Sequence, residues 1–345
     1  MLTSALAAPD QSAENLLLRG DWETIYTQLR SDSTINSDPV VVIIYNQACL
    51  ATNRVERYHK FSPEDYLAWG EYCGQLRRKY PDSAIALYLY GDAKLCLKQY
   101  DEAIPEFDSA IKIDDKLGLA YAGRGLAFSA KNESDLAIKE YNSAINCNDD
   151  ISEFYFLRSL EYHKQGKYND AISDCTKAIQ IQPDHARAFS QRGQSYHRRE
   201  KYDEAIFDYN DALELNPNLV YTYYLRGKAF FETRQHLEAI ADYLIYLQQE
   251  PNNLDAHIDI ATAFRETGKF EQAIEHLDRA IRIDPTISYV YLLKSQICED
   301  CGKYLDAIAA CRAYIKYAPT SEAEQVDQTF IKIEELKRKL DESEL

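Results

Sequence analysis

An alanine followed by isoleucine returns every 34 residues through the chain, at Ala103, Ala137, Ala171, Ala205, Ala239, Ala273 and Ala307, without a slip. A period of that length means that each unit is one supersecondary element that cannot bury its apolar faces alone and must stack on its neighbours. The 345 residues therefore do not imply two or three globular domains, because a stacked core grows in one dimension. With the alanine at position 20, the units begin at Ala84, Gly118, Ser152, Ala186, Val220, Leu254 and Ser288. Position 8 is always small: Gly91, Gly125, Ser159, Gly193, Gly227, Ala261 and Ser295. Position 32 is Asp115 and Asp149, then Pro183, Pro217, Pro251, Pro285 and Pro319.

Apolar residues at positions 4, 7 or 8, and 11 give one helix a buried stripe, and positions 20, 21, 24, 27 and 28 give a second. Small residues at 8 and 20 are expected to let the two backbones approach closely. Proline at 32 ends the second helix by steric conflict with continued α geometry. This pattern resembles the tetratricopeptide repeat (TPR). The resemblance implies an all-α, right-handed superhelical solenoid of antiparallel helix pairs, with the first helix of each unit lining a concave groove. Tyr246 and Tyr314 depart from it at position 27, where the family prefers alanine, and should shift the local packing.

The organisation read from the chain is a disordered terminus over 1–11, degenerate helical repeats over 12–83, seven units over 84–321 and a capping helix with a tail over 322–345. In the first flank, Val40 to Leu50 reads as a helix, Asn53 to Phe61 as an enlarged loop, and a helical pair surrounds Gly20-Asp21-Trp22. Ser62 and Pro63 have the N-cap and N1 chemistry of a helix running to about Lys79, with Trp69 at the usual alanine site. At the other end Val326, Phe330, Ile333, Leu336 and Leu340 make an apolar stripe on a charged helix, the pattern of a cap.

A formal net charge of −17 argues against nucleic acid, whose affinity comes from Lys and Arg on phosphates, and against anionic membrane surfaces. No apolar run reaches the ~20 residues that span a bilayer, and the start MLTSALAAPD lacks a positive n-region. A cytoplasmic location follows as the expectation. The eight cysteines (49, 73, 96, 147, 175, 298, 301 and 311) are too dispersed for a disulfide scaffold and read as reduced, mostly buried thiols.

Phosphate loops, Gly-x-Ser-x-Gly elbows and His-Glu-x-x-His pairs are all missing from the sequence, so no catalytic residue, cofactor or metal is assigned. Cys298-x-x-Cys301 with Cys311 is the only metal-like or redox-like signal. It lacks the second pair that a zinc site needs. Arg124, Arg158, Arg192 and Arg226 recur at position 7, and Glu106, Glu140, Asp174, Asp208 and Asp242 at position 23. Both series stop at units six and seven, which suggests that they pair, as an Arg fork suits a carboxylate.

Family resemblance places positions 2, 5, 9, 12 and 13 on the groove. Units one and two present apolar residues there, including Tyr88 and Leu126. Units three and four turn basic and polar, with His163, Lys164, Arg187, Gln194, His197 and Arg198 beside Phe156 and Leu160. Unit five adds Tyr221, Tyr224 and Lys228, and units six and seven are acidic. Such zoning can be no more than variation on solvated helix faces. Read as a binding site, it makes the chain a protein-interaction adaptor whose ligand carries an acidic and an apolar segment. A chaperone-tail receptor is disfavoured, because no three consecutive units supply the carboxylate clamp of that class. The alternatives are self-association into a homo-oligomer, and a redox- or metal-regulated protein using Cys298, Cys301 and Cys311.

Overall fold

Every described hairpin closes on an alanine: the seven position-20 side chains are all fully buried. The computed structural model describes residues 23–25, 27 and 62–343. The readings made above for 1–11, Val40 to Leu50, Asn53 to Phe61 and Gly20-Asp21-Trp22 lie outside them. The chain divides into two units, 1–199 and 200–345, and the division falls between the two helices of repeat four.

The first unit contains α1 (Pro63–Lys79), α2 (Ala84–Cys96), α3 (Tyr100–Ile113), α4 (Gly118–Ala130), α5 (Ser134–Cys147), α6 (Ser152–Lys164), α7 (Tyr168–Ile181) and α8 (Ala186–His197). The second contains α9 (Tyr202–Leu215), α10 (Val220–Glu232), α11 (His236–Gln249), α12 (Leu254–Glu266), α13 (Phe270–Ile283), α14 (Ser288–Asp300), α15 (Tyr304–Tyr317), a single 3-10 turn (Thr320–Glu322) and α16 (Ala323–Ser343). Among the described residues there is no strand, and no helix is long and apolar enough to cross a membrane.

The start of α1 is as read: Ser62 accepts from the Asp65 N–H, and Asp65 accepts from the Ser62 N–H at 2.7 Å, a closed capping box. Trp69 is fully buried, and its Nε1 donates to Asp92 at 3.3 Å. Within each repeat the turn between helices places position 15 in the left-handed region. Gly166, Gly268 and Gly302 hold it in three repeats, and Lys98, Asn132, Glu200 and Arg234 in the other four. The reversed residue lets the next N–H reach back into the helix, as Lys167 N–H does to the Tyr162 carbonyl at 2.8 Å.

Position 8 is small for a reason sharper than backbone approach. A β-carbon on Gly91 would stand 2.8 Å from the Phe107 ring, on Gly125 2.6 Å from Tyr141, and on Gly227 2.8 Å from Tyr243. The aromatic ring at position 24 fills the space that glycine vacates. Where position 24 is only cysteine, position 8 carries a hydroxyl instead: Cys175 meets Ser159 at 3.2 Å and Cys311 meets Ser295 at 3.0 Å. A larger residue at position 8 thus goes with a smaller one at position 24, the reciprocity that close packing requires.

The Arg and acid series pair within a repeat in repeats two, three and five. Arg158 grips Asp174 with two bonds of 2.8 and 2.6 Å, and Arg226 grips Asp242 at 2.7 and 2.8 Å. Arg124 does the same to Glu140. Each guanidinium also reaches position 25 of the preceding repeat: Arg124 to Asp108, Arg158 to Asn142, Arg192 to Thr176 and Arg226 to Asn210. The fork therefore ties three helices at once. Glu106, whose own repeat has Tyr90 at position 7, takes Arg77 of α1 instead at 2.8 Å.

Tyr246 and Tyr314 bring hydroxyls into the joint after their repeats. Asn253 donates to Tyr246 at 3.1 Å, and Tyr314 donates to Glu322 at 2.8 Å. The cap α16 corrects the expected stripe. Phe330 points outward with 55% exposure, and the buried line runs through Thr329, Ile333 and Leu336, with Val326 and Leu340 half-buried. Steps of three and four residues keep one helix face, and Phe330, next to Thr329, is rotated off it. Lys332 and Lys339 both bind Glu299 of α14, at 2.8 and 2.7 Å.

Candidate peptide-binding faces

First helices of neighbouring repeats meet one another, α2 with α4, α4 with α6 and α6 with α8 in the first unit, and α10 with α12 in the second. Side-chain contacts give their register. Position 2 meets position 2 in Glu153 and Arg187, 3.3 Å apart. Position 5 meets position 6 of the next repeat in Tyr224 and Asp259, 2.7 Å apart. Position 12 meets position 10 of the next in His163 and Ser195, 3.0 Å apart.

In the first unit Tyr88 and Phe156 are 3% exposed and belong to the core. Leu126 and Leu160 are half-buried at the inner surface. The basic stretch is largely answered from within the fold. Arg187 lies 4.4 Å over the Phe156 ring and binds Glu153, which His185 also approaches at 3.3 Å. Burial pushes the Glu153 carboxyl up, but Arg187 and His185 outweigh it and hold the group below the usual range. Lys164 binds Glu161 at 2.6 Å, and that buried carboxylate also accepts from Ser129 and Ser134 at 2.6 and 2.7 Å. Burial, and then the nearby Arg198, push His163 down, so its ring is neutral at pH 7. Gln194 and His197 are half-buried, and Arg198 is exposed at the helix end.

In the second unit Tyr224 is 7% exposed. It stacks on Tyr246 at 5.0 Å and donates to Asp259. It is a core residue, so replacing it opens the packing instead of removing a surface anchor. Tyr221 is 54% exposed, and Lys228 is half-buried with its Nζ 3.9 Å from Asp259. The residue that sequence reasoning missed is Asp259, because the inner positions carried over from the family skip position 6. The signal available was a tyrosine at position 5 with a carboxylate 35 residues on. Glu153 and Glu161 were passed over in favour of the cations that they neutralise.

The cysteine cluster is dispersed over packing roles. Cys298 and Cys311 are buried, Cys301 donates to the Cys298 carbonyl at 3.4 Å, and burial pushes the Cys298 thiol up to about 11. A thiol so placed is a poor nucleophile and a poor metal ligand at neutral pH. Among the described residues no group of three or more His, Cys, Asp or Glu side chains is arranged to hold a metal.

Two family models match the chain. One, described as TPR repeat, covers 160–199 and 193–233, and one, described as tetratricopeptide repeat, covers 71–117, 224–286 and 258–322. Among curated proteins none matches significantly. Of solved structures, an anaphase-promoting-complex hetero-tetramer, Cut9–Hcn1, aligns with a TM-score of 0.62 at 17% identity, over 82% of this chain and 54% of that one. This chain thus spans about half the length of that neighbour. PilF of Pseudomonas aeruginosa aligns with a TM-score of 0.54 at 19% identity, over 62% of this chain and 94% of that one. Likenesses at such identity speak for the fold alone. The repeat register, the helix pairs and the two family models, which together match more than half of the residues, make the chain a member of the tetratricopeptide-repeat superfamily.

Proposed function

We propose that this chain is a cytoplasmic protein-interaction adaptor, which captures an extended peptide or a helix of a partner on the faces lined by its first helices. TPR proteins are generally non-enzymatic scaffolds, and the reading gives the chain no catalytic role. The observation that carries it is the contrast in how side chains are used. The hairpin interiors are closed around buried alanines, whereas the inner faces keep large side chains open, with Leu126 and Leu160 half-buried and Tyr221 half-exposed. Apolar residues of that kind serve as anchors, and charges beside them set orientation and association rate.

On this reading Leu126 and Leu160 receive the apolar part of a ligand. Arg198, with Gln194 and His197 on the same helix, receives an acidic residue, since Lys164 and Arg187 already have carboxylate partners. A partner recovered from native lysate, once identified, gives the test by binding kinetics on the purified chain. Leu126→Asp should shorten the lifetime of the complex, and Arg198→Glu should slow association and weaken its salt dependence. Unchanged kinetics in both variants would move the interaction to the outer face or the loops and end this reading.

A further inference from the structure

The inner face of the second unit differs in chemistry from that of the first. Position 2 of repeats five, six and seven is Tyr221, Asp255 and Tyr289, on α10, α12 and α14. In the first unit the same row is closed by the Glu153–Arg187 ion pair. In the second it holds a carboxylate between two tyrosines that are 54% and 51% exposed. Asp259 lies one helical turn beyond Asp255, so the two acids share a face. Asp255 is exposed and has no ion-pair partner among the described residues. Asp259 is met by the Tyr224 hydroxyl at 2.7 Å and by the Lys228 Nζ only at 3.9 Å. The Lys228 Nζ also lies 5.5 Å over the ring of the buried Tyr224, at the edge of this face. Arg265, the other nearby cation, is committed to Asp300 at 2.7 Å.

We infer that this face binds a lysine- or arginine-bearing segment of a partner protein, with the cationic side chain seated between Tyr221 and Tyr289 and its charge on Asp255 and Asp259. The aromatic face by itself would accept any apolar guest. Charge complementarity selects the basic one: an ammonium or guanidinium gains from a tyrosine ring beside it and relieves the repulsion between the two acids, whereas an acidic guest would add to it. The inference rests on the adaptor reading above and assigns the ligand class of one face.

The experiment uses the full chain and three short fluorescein-labelled peptides of alternating sequence, lysine–leucine, glutamine–leucine and glutamate–leucine, followed by anisotropy. The lysine peptide should bind tightest and weaken with salt. Asp255→Lys should weaken it at least about tenfold, since like charges then face each other, and Tyr289→Ala should weaken it by about fivefold. Asp255→Asn provides a milder version, and circular dichroism checks that each variant folds. Glu238→Lys, at an exposed position of α11, makes the same change in net charge elsewhere and should leave binding unchanged. Equal loss in Asp255→Lys and Glu238→Lys would reduce the effect to bulk charge and overturn the inference. Binding of the lysine peptide that neither Asp255→Lys nor Tyr289→Ala weakens would overturn it while leaving the adaptor reading intact. Binding of none of the three peptides would overturn it and count against the adaptor reading as well.

Discussion

Repeats five and six lie side by side in the second unit with the same helix–turn–helix backbone, yet they satisfy the same joints with different chemistry. At positions 7 and 23 repeat five has Arg226 on Asp242, and repeat six has Ile260 and His276. The imidazole turns instead to His257 at position 4. The His257 Nε2–H donates to the Pro251 carbonyl at 3.0 Å, so its Nδ1 accepts from His276 Nδ1–H at 2.9 Å. At positions 8 and 24 Gly227 makes room for Tyr243, whereas Ala261 faces Leu277. At position 15 Arg234 and Gly268 hold the same left-handed turn. A repeat fold thus specifies that a joint be filled and its polar groups paired, and leaves open which groups do it. The choice then sets how each repeat responds to substitution and to pH.

The ionic joint should be the more fragile. Asp242 is 3% exposed, and burial pushes its carboxyl up while the Arg226 fork pulls it back down. Arg226→Met leaves a buried carboxylate without its partner and should cost about 3 kcal/mol. His276→Leu removes one neutral partner from one neutral acceptor and should cost about 1 kcal/mol. Hydrogen exchange of α11 and α13 reads the two repeats separately. If Arg226→Met left α11 as protected as before, the ladder would be ornament and the comparison would fail.

The neutral joint should be the pH-sensitive one. Burial, then the proximity of His257 and of Arg279, lowers His276 to about 4, and burial lowers His257 as well. Glu275 pulls the other way, but less. The unfolded chain, with histidines near 6.5, binds protons that the folded repeat refuses. Stability is therefore complete above pH 6.5 and falls as pH drops from 6.5 towards 4, by on the order of 2 kcal/mol. In His276→Leu most of that slope should vanish. An equal slope in wild type and variant, measured by urea unfolding at several pH values, would assign it to other groups.

Aromatic fit at position 8 gives a smaller contrast. A β-carbon added by Gly227→Ala meets the Tyr243 ring at 2.8 Å. Overpacking outweighs the better helix propensity of alanine, for a net loss of about 1 kcal/mol. A melting temperature at or above that of wild type would mean that the ring moves aside freely.

Much of this was legible in the sequence because the repeat prints it seven times. The 34-residue step, the buried alanines and the Arg–acid pairing all follow from residue type at a fixed position. What escaped belongs to single repeats. The reciprocity of Gly227 with Tyr243, or of Ser159 with Cys175, appears only when two positions are compared across repeats, since each column alone reads merely as small or apolar. Phe330 fits an approximate apolar stripe and still faces outward, because periodicity does not distinguish it from Thr329, whose hydroxyl is satisfied by the Gln325 carbonyl at 2.7 Å. Tyr88, Phe156 and Tyr224 sit at positions that face the groove by family pattern, and the bulk of their own neighbours folds them inward. The ion pair of Arg187 with Glu153 joins two helices whose register a linear reading does not supply, whereas Lys164 and Glu161 stand three residues apart on α6, a pair that the sequence does offer.

The smallest expected effect isolates backbone from side chain. Arg234 has a φ of 61° and Gly268 a φ of 71° at equivalent turns. An ordinary L-residue there is disfavoured by about 1–2 kcal/mol, because Cβ crowds the following carbonyl. Glycine removes that strain but loses more chain entropy on folding, which offsets about half of the gain. Arg234→Gly should therefore stabilise the chain by about 0.5–1 kcal/mol, and Gly268→Arg should destabilise it by a similar amount. Nothing lies within 4 Å of where a β-carbon on Gly268 would stand, so the loss there contains no steric clash with neighbours. Thermal melting of the two single variants and of the double exchange provides the measurement. The singles should move in opposite directions, and the double should return close to wild type, since the turns belong to different repeats and share no side-chain contact. Two shifts of the same sign would show that Arg234 contributes through its side chain, and position 15 would no longer be a pure backbone site.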